Sequence, residues 1–352
     1  MTLRVKLCRA MVISLLLSGL SLELFSACAS ARVYPNSRLK ADDAVRPPDQ
    51  TKFALIITGA SGEEIFSKQF SGWAEKLRQT LVGQLSFPAD QVSLLSEKSE
   101  QSTMRATAAE VRRELTELQR SAKTESSVFI FFIGHGTYDG QQAKFNLVGP
   151  DLAVRDYKEL IEAIPARQIV IVNMASASGE FVKPLAANGR VLITATRSGQ
   201  EQNATKFPEH FINALGSSAA DADKNNRISV LEAFNYATKL TTEGYQSAGR
   251  LATEHALLED NGDGVGHQTA EGGDGLVARQ TYFDSAAQSQ IASDHESVRI
   301  IAQQKSLEGA IQAVKARKSQ LPPDAYYAEL EKLFVELAKL SRELKSKNRV
   351  SN

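Results

Sequence analysis

Continuous apolar runs alternate with amphipathic stretches over most of the chain. The runs predict buried strands at residues 53–58, 91–95, 128–134, 169–173 and 191–195. Between them, apolar side chains spaced three and four positions apart predict helices at residues 66–85, 103–121 and 155–164. Strands that alternate with helices are typical of a parallel sheet covered on both faces. The pattern therefore predicts a three-layer α/β/α fold with a mainly parallel sheet.

Residues 1–31 have the pattern of an export leader. Basic residues precede an apolar stretch at residues 10–25, and a run of small residues follows it. This order predicts a secretory signal peptide. Residues 25–28 also resemble a bacterial lipoprotein box, in which Cys28 would carry a lipid. Soluble export to the periplasm or medium and lipid anchoring to the cell envelope both remain open.

The rest of the chain divides by composition. Residues 32–50 lack periodicity and predict a flexible tether, and residues 51–283 predict one domain. Residues 285–349 predict an α-helical hairpin, interrupted by two prolines at residues 322–323.

The second helix of this hairpin carries leucines with the spacing of a coiled-coil seam. These leucines are Leu330, Leu333, Leu337, Leu340 and Leu344, and the residues that could face them on the first helix are Ile300, Leu307, Ile311 and Val314. The hairpin either closes on itself and the sheet domain or forms an arm for self-association or partner binding.

Charge and cysteine content narrow the function classes. The 352 residues include 41 basic and 41 acidic side chains, without a dense basic run interleaved with aromatic residues. This balance argues against nucleic acid as a partner. The cysteines are Cys8 and Cys28, in or beside the leader. The exported domain is therefore expected to have neither a disulfide nor a thiol nucleophile.

Two predicted strands end in residues that can carry chemistry. His135 lies between Gly134 and Gly136 after one strand, and Ser176 follows the strand at residues 169–173. Parallel α/β sheets present ligand-binding residues beyond the carboxyl ends of their strands. We therefore expect this imidazole and hydroxyl to meet in an open crevice. Alternatively, a turn carbonyl satisfies His135, and Ser176 caps a helix.

Residues 130–136 and 170–179 resemble the His-Gly strand end and the second active-site strand of the legumain and caspase group of cysteine peptidases, which have the caspase-hemoglobinase fold. The resemblance extends over about residues 52–258. It implies a peptide-binding cleft, with substrate held by the backbone and the strand edge near the two loops. The substrate-binding residues that it implies are Gly134, Gly136, Gly179, Thr196 and Arg197.

Ser176 stands where this family has its nucleophilic cysteine. A cysteine retains some thiolate at neutral pH, whereas an alcohol needs a base in direct contact. No third member of a triad is evident, although Asp139 lies near His135 in sequence. The favoured hypothesis is a degenerate peptidase that binds peptide or protein segments. The alternatives are an active hydrolase that uses Ser176 with His135 and a calcium-dependent envelope assembly protein.

Residues 221–232 resemble a twelve-residue EF-hand loop. Its oxygen ligands would be Asp221, Asp223, Asn225, Ser229, Glu232 and the carbonyl of Arg227. The competing interpretation is a capping box formed by Ser229 and Glu232 at the start of a helix, which needs no ion. Calcium and no metal both remain open. A second acidic turn at residues 260–264 does not match the spacing of this template, and we do not expect a metal there.

Overall fold

The computed structural model describes residues 47–98, 104–225, 227–270, 273–284, part of 299–314 and 317–350. The predicted leader and most of the predicted tether lie outside these residues. The described strands, in chain order, are β1 Lys52–Thr58, β2 Val92–Ser96, β3 Met104–Arg105, β4 Ser127–Ile133, β5 Gly136–Tyr138, β6 Ala143–Phe145, β7 Leu152–Ala153, β8 Gln168–Asn173, β9 Arg190–Thr194 and β10 Leu257–Glu259.

A seven-stranded sheet in the order β10-β9-β8-β4-β1-β2-β3 forms the centre of the domain. Its neighbouring strands are parallel except for β10, which pairs antiparallel with β9. A small antiparallel sheet, β5-β6-β7, follows β4 directly. These arrangements confirm the predicted α/β fold with a mainly parallel sheet.

Helices cover both faces of the large sheet. The described helices are α1 Glu64–Gly83, α2 Ala108–Ser121, α3 Val154–Glu162, α4 Val182–Leu185, α5 Phe207–Ala214, α6 Val230–Ser247, α7 Leu276–Gln280 and α8 Pro323–Val350. Helices α1, α5 and α6 share a core with one face of the sheet, and α2, α3 and α4 share a core with the other. Within the described residues, no helix is long and apolar enough to cross a membrane.

One predicted helix was wrong at its start. The helix predicted from residue 103 begins at Ala108, because Met104 and Arg105 pair with β2 as the edge strand β3. The hydroxyl of Thr107 then accepts the backbone N–H of Glu110 at 3.3 Å and caps the helix. Residues 104–105 therefore form a strand because they pair with β2, a contact that their own helical spacing does not reveal.

The C-terminal helix α8 packs against the described residues that precede it. Ile311 and Val314 form a small core with Tyr326 and Leu330. Leu333 and Leu337 pack against this core, as the leucine spacing predicts. Self-association through these helices stays a prediction.

Lys52, the first residue of β1, is a buried lysine. Its ammonium donates a hydrogen bond to the carbonyl of Phe283 and lies 5.0 Å from the centre of the Phe87 ring. Burial lowers the pKa of Lys52 to about 8, although the charges of Asp284 and Asp49 oppose this shift. The folded state therefore accommodates the charged ammonium less well than the unfolded chain does.

This lowered pKa predicts that alkaline pH stabilises the fold. Above pH 8 the folded protein releases the Lys52 proton, whereas the unfolded chain retains it until about pH 10.5. We expect the Lys52 contribution to the free energy of unfolding to rise by about 2 kcal/mol between about pH 7 and about pH 9.5. Urea unfolding of the parent and Lys52→Met measures the difference. Lys239→Met, which changes an exposed lysine, should keep the parental dependence of the free energy of unfolding on pH. The same pH dependence in Lys52→Met would contradict the assignment.

Candidate functional site

The predicted His135 and Ser176 segments lie side by side at one edge of the sheet. Strands β4 and β8 are parallel neighbours in continuous register from Ser127 opposite Gln168 to Phe132 opposite Asn173. Their carboxyl ends therefore lead into adjacent loops, as the sequence predicts for the two segments.

Ser176 is buried, with 1% of its surface exposed, and its hydroxyl is bound to the backbone of Gly136. The Oγ atom accepts the Gly136 N–H at 3.1 Å and donates to the Gly136 carbonyl at 3.2 Å. The next residue, Ala177, has a positive φ of 54° and donates its N–H to the carbonyl of Glu201 at 2.8 Å. The hydroxyl thus ties the loop after β8 to strand β5.

The backbone of β5 is oriented for this contact. Asn146 donates its N–H to the His135 carbonyl at 3.0 Å, and Asp139 donates to the Gln142 carbonyl at 3.4 Å. Hydrogen-bonded residues alternate along an antiparallel ladder, so the peptide groups of Gly136 face away from β6 and toward Ser176. A Cβ atom at Gly136 would also overlap the carbonyl oxygen of Ser176. The expected open crevice at this glycine is wrong: Gly136 allows two backbones to pack closely.

The imidazole of His135 lies on the α1 side of the loop. Its ring centre is 4.9 Å from that of Phe66 and 5.1 Å from that of Phe70, in edge-to-face geometry. Burial lowers the pKa of His135, and a hydrogen bond to the backbone of Ser61 and the charge of Glu63 oppose this shift. The neutral ring is therefore favoured near neutral pH. This backbone contact agrees with the alternative in which a loop satisfies the histidine.

The two candidate groups have separate partners. Among the hydrogen bonds of the described residues, those of the Ser176 hydroxyl go to Gly136, and none joins it to the His135 ring. No hydrogen bond joins Asp139 to the imidazole among the described residues; one oxygen of its carboxylate accepts the N–H groups of Gln141 and Gln142 in the turn between β5 and β6. The structure brings the two loops together but does not form a Ser–His pair.

Glu97 is a residue of this edge that sequence reasoning missed. Its carboxylate accepts the hydroxyl of Ser61 at 2.6 Å and the Ser61 N–H at 3.3 Å. Glu97 thereby fixes the loop whose backbone contacts His135. Glu97 and Phe70 also line a cavity of about 570 Å³ between α1 and the carboxyl ends of β1 and β2. No local pattern marks Glu97, because its partner lies in a different loop.

The predicted substrate-binding residues after β9 are engaged with the loop after β8. The hydroxyl of Thr196, which is fully buried, accepts the Gly179 N–H at 3.0 Å and lies 3.1 Å from the Ser178 hydroxyl. Gly179 packs directly on the backbone of Arg197. The Arg197 side chain is 59% exposed and pairs with Glu201 at 3.1 Å. On this loop, Arg197 offers an exposed side chain that a peptide can reach, and substrate contact there stays a prediction.

Glu201 and His255 form an imidazole–carboxylate pair beside this loop. The Nδ1 atom of His255 lies 2.5 Å from one Glu201 oxygen, and its backbone N–H donates to the other at 3.0 Å. Arg197 donates its own N–H to the same carboxylate at 3.0 Å. The carboxylate therefore holds the loops before β10 and after β9 together.

The acidic 221–232 loop contains both of the alternatives that the sequence predicts, a cluster of carboxylates and a capping box. Asp221, Asp223 and Glu232 each place a carboxylate oxygen within 4.8 Å of the others. Burial and the charges of Glu232 and Asp221 raise the pKa of Asp223. The capping box is also formed, because Ser229 Oγ accepts the Glu232 N–H at 3.2 Å and Glu232 accepts the Ser229 N–H at 2.9 Å.

The other predicted ligands of the 221–232 loop are tied to the chain around them. Asn225 accepts the Arg227 N–H at 2.8 Å, and the Arg227 guanidinium stacks on Tyr282 at 3.8 Å and pairs with Asp284 at 2.8 Å. These contacts neither require nor exclude an ion, and calcium stays a prediction.

Comparison with known proteins does not place the chain in a family. No family model matches it, and no curated protein matches it. Among solved structures, the crystal structure of protein GSU0716 from Geobacter sulfurreducens is similar at 12% sequence identity and a TM-score of 0.40. The match covers 60% of this chain and 95% of that one.

The hydrogen bonds of Ser176 predict a structural role for its hydroxyl. In Ser176→Ala the buried N–H and carbonyl of Gly136 lose this partner, so the free energy of unfolding should fall by about 1–3 kcal/mol. Urea unfolding measures the change. Ser247→Ala is the matched control, because that hydroxyl is exposed and bonds within its own helix. Equal stabilities of the two variants would contradict the role.

Proposed function

We propose that this chain is an exported, peptidase-like protein that binds a peptide segment and does not cleave it. The proposal rests on the resemblance of residues 130–136 and 170–179 to the two active-site strands of legumain- and caspase-like peptidases. The observation that carries its non-catalytic part is the engagement of the Ser176 hydroxyl with both backbone groups of Gly136.

The chemistry of this site disfavours nucleophilic attack. A serine becomes a nucleophile when a base in hydrogen-bond contact removes its proton. Here that proton lies in a hydrogen bond to the carbonyl of Gly136, a group that cannot act as such a base. The neutral ring of His135 packs against Phe66 and Phe70 instead. Activation would require breaking two buried hydrogen bonds and reorienting the imidazole.

Peptide binding is proposed for the surface above this closed contact. The exposed residues on the elements that lead to this contact include Ile65 on α1, which is 67% exposed, Thr137 on β5 and the Arg197 side chain. A peptide that contacted both Ile65 and Arg197 would be expected to contain an apolar and an acidic residue. The partial neutralisation of Arg197 by Glu201 weakens this charge preference without removing it.

A peptide assay tests this function. Fluorogenic peptides that vary the residue before the scissile bond, including Asn, Asp, Lys and Arg, are incubated with the full chain, Ser176→Ala and Ser176→Cys. We expect no turnover by the parent or Ser176→Ala. Parental cleavage that disappears in Ser176→Ala would establish the serine hydrolase instead. Cleavage by Ser176→Cys alone would support a peptidase cleft that lacks its nucleophile.

Binding is measured separately with the same peptides by fluorescence anisotropy. We expect the parent to bind a subset of these peptides. Arg197→Ala should lower the affinity for acidic peptides by about tenfold or less, because one exposed charge contributes no more than this. Arg120→Ala, which removes a 74% exposed arginine on α2, is the control. Absence of binding to every peptide would contradict the proposed function.

A second candidate function is calcium-dependent assembly, which the three clustered carboxylates of the 221–232 loop favour. A bound cation would offset the repulsion among them. We expect calcium chloride to raise the melting temperature and to increase the sedimentation coefficient of the full chain, and Asp223→Asn to reduce both effects. An unchanged sedimentation coefficient with calcium would contradict assembly, whatever the melting temperature does.

A further inference from the structure

A second loop, residues 259–274, collects carboxylates at the end of β10. Glu259, Asp260 and Asp274 are buried, with 0%, 1% and 5% of their surfaces exposed, and Asp263 is exposed. Asp260 accepts the N–H groups of Gly275 and Ala278 at 2.8 and 2.7 Å and thus caps α7. Asp274 accepts the Asp260 N–H at 3.0 Å and lies 2.5 Å from Nδ1 of His267. These two carboxylates are therefore fully engaged.

Glu259 is engaged on one oxygen only. Its Oε1 atom accepts the N–H of Gly262 at 2.6 Å and that of Gly264 at 3.4 Å, so the carboxylate lies inside the turn. Its Oε2 atom is buried without a hydrogen-bond partner. Among the described residues, no lysine or arginine forms an ion pair with Glu259 or Asp263, although the buried guanidinium of Arg190 interacts electrostatically with Glu259. A buried carboxylate oxygen without a hydrogen-bond partner is costly, and a bound cation would supply the missing partner.

The 259–274 loop repeats the hydrogen-bond ladder of the 221–232 loop. Asn261 Oδ1 accepts the Asp263 N–H at 2.8 Å, and Asp263 Oδ1 accepts the Val265 N–H at 2.7 Å. In the other loop, the side chain of the third residue likewise accepts the N–H of the fifth at 3.0 Å, and that of the fifth accepts the N–H of the seventh at 2.8 Å.

A template read from Glu259 accounts for this similarity. Glu259, Asn261 and Asp263 then occupy positions one, three and five, and the carbonyl of Val265 occupies position seven. The loop departs from the full template at position one, where Glu259 replaces the usual Asp, and at position twelve, where Ala270 replaces the bidentate Glu. Gly264 occupies position six with a positive φ of 78°, where EF-hand loops require a glycine. The sequence expectation of no metal concerned the turn at residues 260–264, and Glu259 lies one residue before it.

We propose that Glu259, Asn261, Asp263 and the Val265 carbonyl bind a hard divalent cation of the calcium class. The donors are oxygen atoms, which suit calcium, whereas the nearby imidazole of His267 is engaged by Asp274. Glu259 Oε2 supplies the buried charge that the ion neutralises. The site does not depend on the proposed peptide-binding function.

Calorimetric titration with calcium chloride tests the site on the full chain after dialysis against a chelator. Asp263→Asn and Asp223→Asn are a matched pair, because each changes one exposed aspartate at the fifth or third position of one loop. We expect Asp263→Asn to bind one calcium ion fewer per chain, or to bind it with at least tenfold lower affinity. This loss should be the same whether or not Asp223→Asn is also present. No calcium binding by the parent, or unchanged binding by Asp263→Asn, would overturn the proposal.

Glu259→Gln separates loss of the ion from damage to the fold. Without calcium, the amide removes an unpaired buried charge, so the melting temperature should equal or exceed that of the parent. With calcium, the variant should show a smaller rise in melting temperature than the parent. A parental calcium-induced rise in this variant would refute the role of Glu259. Asp90→Asn, which changes an exposed carboxylate in a 3₁₀ helix, should behave as the parent under both conditions.

Discussion

The burial of β4 on both faces fixes the geometry on which the candidate site depends. All seven residues Ser127–Ile133 are buried. Phe129 and Phe131 pack into the core under α1, and Phe132 packs into the opposite core with Tyr157 of α3. Burying each such ring stabilises the fold by about 1.5–3 kcal/mol. Because β1 and β8 pair along nearly the whole of this strand, the loops at its carboxyl end have little freedom to separate.

That constraint explains why Ser176 and Gly136 act as one structural unit. The two loops approach until a side chain at residue 136 would overlap the backbone of residue 176. At this distance the serine hydroxyl, with one donor and two acceptor sites, satisfies both peptide groups of Gly136. A hydroxyl can do this better than a thiol, whose hydrogen bonds are weak. The residue type at position 176 thus suits closure of the two loops.

The sequence predicted the sheet well because its strands are continuous apolar runs bounded by helices with clear periodicity. It also predicted that His135 and Ser176 lie at one sheet edge, since parallel strands share that edge. It did not predict their separate partners. The partners of several residues at this edge lie in distant loops, and no local spacing predicts such contacts. Examples are Glu97, Glu201 and Gly136. The edge strand β3 was missed for the same reason, because its pairing with β2 decides its conformation.

Residues 281–284 connect both acidic loops to the start of the central sheet. Helix α7, capped by Asp260, leads into this segment, and Val230 after the 221–232 loop donates its N–H to the Thr281 carbonyl at 2.8 Å. Arg227 pairs with Asp284, and the Phe283 carbonyl accepts the Lys52 ammonium at the start of β1. Both loops are therefore connected to the same four residues. Asp284 raises the pKa of Lys52 and Arg227 lowers it, so both members of this ion pair act on the buried ammonium. The 221–232 loop and the buried lysine are thus electrostatically coupled through the Arg227–Asp284 pair.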